Sequence, residues 1–346
     1  MEKTQKIIIT DTHFGRYNNS INFLNSQLLI FDDLKRFIKM NKIESRFDLI
    51  HLGDIFESRS TISTQISDEV RLLFKELNSL IKERNPENKF IFVAGNHDFF
   101  SPISDKVNSL DTYVRDWVPD AVIVSRDCWV DGDDIYIPWY WMNDPEKFNT
   151  LDLNPYHRIF THCDCKDFAY GKIPVNAVLY SGHIHQCKHY QNSLSSNPQS
   201  ILYNLSTPYS LDYGDSNDLD KGFWIINADN TNPILHRNEK SIRYRTFVNE
   251  QVLNIDDYDG SVERGDNFRV FVDEDNRYKI EYAEAINKII NDIKYPTIIT
   301  VNNSILANGE AVDSIDITSM LINMVPDDLK DIFNIVINEV NENPNK

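Results

Sequence analysis

Five short strings hold the residues of this sequence that could do chemistry. They are Asp11-Thr12-His13, Gly53-Asp54, Gly95-Asn96-His97-Asp98, Phe160-Thr161-His162 and Gly182-His183-Ile184-His185. Together they offer imidazole, carboxylate and one amide oxygen but no thiolate, a donor set that suits catalytic Mn2+, Fe or Zn rather than a structural zinc. Asp11 and His13 are two apart, so on a continuing strand both side chains leave the same face. His183 and His185 repeat that spacing. Two such pairs with an isolated Asp, an Asn and a further His suit two metal ions about 3.5–4 Å apart, bridged by a carboxylate. Asp54 is the candidate bridge. Any one string alone reads as a strand-end turn with a satisfied histidine; the set of five, in this order, reads as a metal site.

The elements that must position them follow from periodicity. KIIIT (6–10), FDLIHLG (47–53) and KFIFVAG (89–95) are short apolar strands. Residues 21–41 and 64–84 between them have helical spacing, which makes a βαβαβ unit with parallel strands. The first three strings fall at the C-terminal ends of its strands, where such sheets place their sites. After residue 120 strands dominate: AVIVS, DIYIPW, HRIFTH, AVLYSGHIH, SILYNLS, KGFWII, PILHR and IRYRTFV. Two packed sheets with helices outside fit this α/β pattern better than one doubly wound sheet. The acidic, turn-rich stretch at 249–266 reads as a domain boundary. A small βαβ unit follows to residue 303, then a linker, then two short amphipathic helices over 315–342 broken at Val325-Pro326-Asp327. The expected domains are 1–248, 249–303 and 304–346.

Composition limits the partners. The chain has 346 residues, 41% hydrophobic and 25% charged, enough apolar content for a core and too much for a disordered chain. No apolar run is long enough to span a membrane, and the N-terminal run is a buried strand rather than a signal peptide. Four cysteines without a CxxC pair point to reduced thiols and a cytoplasmic location. Cys163 and Cys165 flank His162 but face away from it on a strand, which argues against their being ligands. The net charge is −18, and residues 250–346 hold 20 acidic against 8 basic residues. A free-standing DNA-binding protein is usually basic. The acidic half is either a solvated face or a sign that a partner supplies the positive surface.

The ordered set Asp-x-His, Gly-Asp, Gly-Asn-His-Asp, His and Gly-His-x-His resembles the calcineurin-like metallophosphoesterases over about residues 1–240. GDIFESR (53–59), the IPW at 137–139 and LSTPYSLDYGDSNDLDKGFWII (205–226) resemble the SbcD-type nuclease subunits of DNA double-strand-break repair complexes, especially those of tailed bacteriophages. The resemblance implies a four-layer α-β-β-α sandwich, a small capping domain and a C-terminal helical segment that binds a partner ATPase. It implies that Asp11, His13, Asp54 and His185 hold one metal ion and Asp54, Asn96, His162 and His183 the other, with Mn2+ as the expected ion at both. His97 would contact the scissile phosphate and help protonate the leaving oxygen. The implied activity is DNA cleavage, 3′-to-5′ on duplexes and endonucleolytic on single strands. Its implied partners are DNA, an SMC-like ATPase of the SbcC type docking on 315–342, and a second copy of the nuclease domain. A phosphatase or cyclic-nucleotide phosphodiesterase would share every ligand, but the GDxxDRG string is missing. An inactive scaffold is disfavoured because every ligand position is filled.

Three features depart from the family or stay open. Glu57 stands where cellular members carry a His. It is either a hydrogen-bond acceptor that favours the cationic form of His97, or a solvated loop residue. Arg59 is expected in a loop salt bridge rather than as a phosphate clamp. Trp139, Tyr140 and Trp141 either stack on a base or belong to the core, and the core is the expectation.

Overall fold

The computed structural model describes residues 4–40, 46–164, 174, 177–191, 201–216, 218–254, 264–273, 276, 279–292 and 297–301. The first strands are β1 (Gln5–Ile9), β2 (Phe47–His51) and β3 (Phe90–Val93), each buried along its whole length. Strands covered on both faces must be apolar on both, which is why these runs show no polar alternation. Their side chains divide by parity between two cores. Ile7, Ile9, Leu49, Phe90 and Phe92 face one; Ile8, Ile50, Ile91 and Val93 face the other.

Helices Ile21–Lys39 and Thr64–Arg84 cover the first face. Each is started by a serine, Ser20 accepting from Phe23 N and Ser63 from Ile66 N, which satisfies an orphan N–H of the first turn. A short hairpin, β4 (Phe99–Ser101) and β5 (Ser104–Asn108), follows β3 and precedes β6 (Val122–Val124). The sheet's far edge is made by β13 (Gly222–Ile226) and β14 (Ile234–Arg237), giving the order β14-β13-β1-β2-β3-β6.

The second sheet contains β7 (Trp129–Asp131), β8 (Asp134–Ile137), β9 (Arg158–His162), β10 (Val178–Gly182), β11 (Lys188–Gln191) and β12 (Ile201–Asn204), in the order β11-β12-β10-β9-β8-β7. Tyr136, Phe160, Tyr180 and Tyr203 stack across it with centroids 4.8, 5.2 and 5.8 Å apart. The first three of these rings fill the space between the sheets. Ile135, Ile137, Ile159 and Leu179 face outward under the short helices Trp139–Met142 and Pro145–Thr150. The result is the α-β-β-α sandwich. At the starts of the strands the two sheets are tied by buried charge. Lys6 Nζ lies 2.6 Å from Asp48 and 3.0 Å from Asp134, and Arg158 forks onto Asp134 at 2.6 and 2.8 Å.

A third sheet, β15 (Tyr244–Val248), β16 (Asn267–Asp273) and β17 (Thr297–Val301), is parallel throughout. Helix Ile280–Asp292 joins its last two strands, the small βαβ unit. One boundary moves. Tyr244–Val248 was expected to close the first domain, yet it pairs with β16, and Phe247 stacks on Phe268 at 5.3 Å. The described start of the polar stretch after 248, a helical turn at Glu250–Leu253, thus follows a strand of this sheet rather than a domain boundary. The linker and the two helices expected at 304–346 lie outside the described residues, as does Cys165. Among the described cysteines, all are free and Cys163 packs in the outer core of the second sheet. No helix among the described residues is long and apolar enough to cross a membrane.

Pro138 ends the expected DIYIPW strand, and Trp139, Tyr140 and Trp141 form a helical turn instead. Trp139 and Tyr140 pack against the first core and Trp141 against the outer one. Trp141 Nε1 donates to Arg126 O at 2.6 Å. They are packing residues.

Candidate metal centre

The five strings meet at the C-terminal end of the sandwich, but the Asp11–His13 and His183–His185 pairs do not lie on continuing strands. β1 ends at Ile9 and β10 at Gly182. Asp11, His13, Asp54 and His183 all take positive φ, 52°, 46°, 54° and 79°. For residues with a Cβ this left-handed backbone costs roughly 1–2 kcal/mol each. The expected same-face strand geometry for the Asp11–His13 and His183–His185 pairs therefore does not hold. The reason is that the loops pair with one another: Asp11 N donates to Gly53 O and His13 N to Asp54 O, both at 3.0 Å.

Glycines permit that closeness. A Cβ on Gly53, itself at φ 89°, would stand 2.6 Å from Gly95 N. One on Gly182 would stand 2.1 Å from Thr10 Oγ1 and 2.7 Å from Asp11 Oδ2. Asp98 organises the turn, a role the sequence left unassigned. It is buried and accepts from Asp54 N (2.9 Å), Ile55 N (3.2 Å), Gly95 N (2.8 Å) and Ser109 Oγ (3.0 Å). Burial, then the Asp54 carboxylate, pushes Asp98 up to about 6.

The ligand candidates separate into two groups. Ligand atoms of Asp11, His13 and His185 lie within 4.8 Å of one another, as do those of Asp54, His162 and His183. Asn96 joins the second: its Oδ1 lies 2.9 Å from His183 Nδ1 and 3.1 Å from His162 Nε2. Asp54 stands between the groups, with Oδ2 3.3 Å from His162 Nε2 and 3.7 Å from His13 Nε2. His162 Nδ1 donates to Leu52 O at 2.6 Å, which fixes the tautomer and turns Nε2 toward the carboxylates.

The centre calls for a cation. His162 Nε2 faces the oxygens of Asp54 and Asn96, with Asp11 Oδ1 at 3.9 Å. Burial lowers its pKa, but Asp54 and Asp11 outweigh burial and carry it up to about 10. A proton there answers the same charge that a metal would. Asp54 is held well below the carboxylate range: burial raises it, and the facing His162 and His13 outweigh that. His13 is buried, and its Nε2 has no hydrogen-bond partner, with Asp54 Oδ2 3.7 Å away. An unpartnered imidazole nitrogen beside buried carboxylates, in a cradle that admits no Cβ, fits a pair of divalent cations.

His97 sits beside this set. Its main-chain N donates to Asp54 Oδ1 at 2.8 Å, and its ring is 4.9 Å from that of His13. Nδ1 lies 2.6 Å from the main-chain oxygen of Glu57. A carbonyl only accepts, so Nδ1 carries a proton and Nε2 is left for chemistry.

The expected carboxylate pairing of Glu57 with His97 is not what the structure has. The Glu57 carboxylate lies 2.8 Å from His13 Nδ1 and forks onto Arg16 at 2.9 and 3.0 Å. Burial raises Glu57, but His13 and Arg16 bring it down to about 2. Arg16 also binds Asp212. Nothing in the sequence distinguished carboxylate from carbonyl as the histidine's partner. Arg59 is a second correction, since it makes no ion pair with a described residue.

Residues 6–187 match the Calcineurin-like phosphoesterase family. Among solved structures, the nuclease MPE of Pseudomonas putida is similar at 15% identity and a TM-score of 0.30, over 57% of this chain and 73% of its own. No curated protein matches the chain. The matched residues cover more than half of the sequence and include all seven candidate ligand positions; the chain belongs to the calcineurin-like phosphoesterases, a family of metal-dependent hydrolases.

Proposed function

We propose that this protein is a two-metal nuclease that hydrolyses DNA phosphodiesters, with Mn2+ as the preferred ion, and that it serves as the SbcD-type subunit of a break-repair or recombination complex. The observation that carries the hydrolytic part is the pair of ligand groups sharing Asp54, with His97 hydrogen-bonded to that same carboxylate. The choice of DNA rests on the GDIFESR and LSTPYSLDYGDSNDLDKGFWII stretches and on the appended βαβ unit.

Asp11, His13, Asp54 and His185 would hold one ion, and Asp54, Asn96, His162 and His183 the other. When bound, the ions polarise the phosphodiester and lower the pKa of a water to the neutral range. The protein's own residues do the rest. Leu52 O orients His162, and the Glu57 carboxylate holds His13. His97, oriented by Glu57 O, would act from its cationic form, giving the Nε2 proton to the leaving oxygen while Nδ1 keeps the proton it donates to Glu57 O. No side chain is placed as a nucleophile, so water attacks and no covalent enzyme intermediate forms.

The partner proposals rest on the acidic balance and on the amphipathic pattern at 315–342, outside the described residues. An SMC-like ATPase of the SbcC type would dock there and supply positive surface, with two nuclease domains pairing in the complex. A chain ending at 314 should no longer co-purify with that ATPase; retention would refute the assignment. For the activity, labelled oligonucleotides and bis(p-nitrophenyl) phosphate are compared side by side. Preference for DNA by several orders of magnitude supports the nuclease; preference for the small diester would favour a small-substrate phosphodiesterase.

A further inference from the structure

Two arginines lie close to Glu57, and only one of them has an ion pair with a described residue. Arg16 is answered by Glu57 and Asp212. Arg59 has no ion pair with a described residue, and its Nη1 is buried without a hydrogen-bond partner. A buried unpaired guanidinium nitrogen is costly, which suggests a partner that arrives from outside. Arg59 lines a pocket of ≈ 120 Å3 with Ser58, Ser60, Thr61, Ser109 and Phe100 among its other walls. Among the described residues no carboxylate lines it, although the chain has 53 acidic residues against 35 basic. The contrast is the ≈ 190 Å3 pocket at the strand starts, where Lys6 and Arg158 already answer Asp134.

Both walls of the Arg59 pocket are anchored to the metal centre. The first begins at Glu57, whose carbonyl holds His97, and Arg59 is two residues on, a reach of at most about 7 Å. The second includes Ser109, which donates to Asp98 Oδ1 at 3.0 Å. The volume is below the roughly 300 Å3 at which drug-sized ligands are held. It suits one oxyanion rather than a whole nucleotide.

We infer that Arg59 and its hydroxyl-lined pocket bind a phosphate of the substrate strand that neighbours the scissile one. The inference rests on the nuclease reading and deepens it: the pocket separates a polynucleotide from an isolated phosphodiester. Phe100, 59% exposed at the pocket's rim, offers a ring face to the attached nucleoside.

The test uses the full chain with saturating Mn2+. Its substrates are bis(p-nitrophenyl) phosphate and labelled decathymidylates, each with one uncharged methylphosphonate linkage at a successive position. Arg59→Ala should lose about 10- to 100-fold more kcat/KM on the all-phosphate strand than on the small diester, the worth of one charge-assisted hydrogen bond. In the wild type one neutral linkage beside the cut should cause the same loss, and Arg59→Ala should add nothing to it. Arg59→Lys should recover part of the difference, which a merely misfolded loop would not allow. Equal losses on both substrates, or no loss on either, would overturn the inference. A wild type that cleaves the small diester but no oligonucleotide in any divalent metal would instead sink the nuclease reading itself.

Discussion

Replacing Glu57 by glutamine separates two accounts of the same residue. If its carboxylate oriented His97, the variant would turn over slowly with its metals in place. The structure assigns that task to the Glu57 main-chain carbonyl, 2.6 Å from His97 Nδ1, which every side chain at this position retains. The carboxylate instead holds His13 Nδ1 at 2.8 Å and two contacts from Arg16. A glutamine oxygen can face only one of these neighbours, so its NH2 meets a donor on the other side. Loss of such an outer partner typically weakens metal affinity or activity about 10- to 100-fold, or about 1.4–2.7 kcal/mol at 1.36 kcal/mol per factor of ten. Calorimetric titration of Mn2+ into metal-free protein should show that loss at one of two sites. Hydrolysis of bis(p-nitrophenyl) phosphate should recover to within a few-fold of the wild type once Mn2+ saturates the weakened site. Unchanged affinity with a depressed rate at saturating metal would refute this reasoning and restore the carboxylate–His97 pair.

Other expectations follow from the same geometry. Asp98→Asn keeps the shape but replaces one acceptor oxygen with donors, so buried N–H groups go unpaired; urea unfolding should show a loss of about 2–4 kcal/mol. Gly182→Ala drives a Cβ to 2.1 Å from Thr10 Oγ1 beside Asp11, and both the thermal midpoint and the stabilisation gained on adding Mn2+ should fall; a variant that keeps both would contradict the cradle. His51 is buried, stacked on Phe92 and held down to about 3, chiefly by burial. Its folded pKa lies below the unfolded 6.5, so its stabilising contribution is full above pH 6.5 and is lost as pH falls toward 3. His162 is shifted the opposite way, so the stability difference between wild type and His51→Phe isolates His51. That difference should shrink by about 1.4 kcal/mol between pH 7.5 and 5.5, and a pH-independent difference would count against a neutral buried imidazole.

The scaffold was readable where burial leaves a periodic mark. KIIIT, FDLIHLG and KFIFVAG are covered on both faces, and the helices of 21–41 and 64–84 carry a 3.6-residue stripe, so these elements fall within a few residues of their expected bounds. The hairpin Phe99–Asn108 was not readable, because Ser104-Asp105-Lys106 has no apolar alternation and none of the three is buried. Tyr244–Val248 reads as a strand, but its choice of Asn267–Asp273 as partner is a long-range pairing with no local signature. At the site, residue types announced the cluster because strand ends converge in such sheets. The left-handed backbone at Asp11, His13, Asp54 and His183 was hidden, since it arises from loop-to-loop pairing rather than from those residues' own preferences. The partners of Glu57 and Asp98, and the lack of an ion pair at Arg59 among the described residues, were hidden for a similar reason: which polar atom a loop side chain meets is decided by tertiary approach.

Cleavage of end-labelled single-stranded and duplex DNA, with Mn2+, Mg2+ or EDTA, tests the central claim most directly when wild type is run beside His97→Ala. Wild type should cut DNA with a divalent metal and stop in EDTA. His97→Ala should bind Mn2+ as the wild type does and be slower by about 10^2- to 10^4-fold, the usual worth of a positioned proton donor. DNA left intact by a wild type that still hydrolyses a small phosphodiester, or cleavage that persists in EDTA or without His97, would contradict the account.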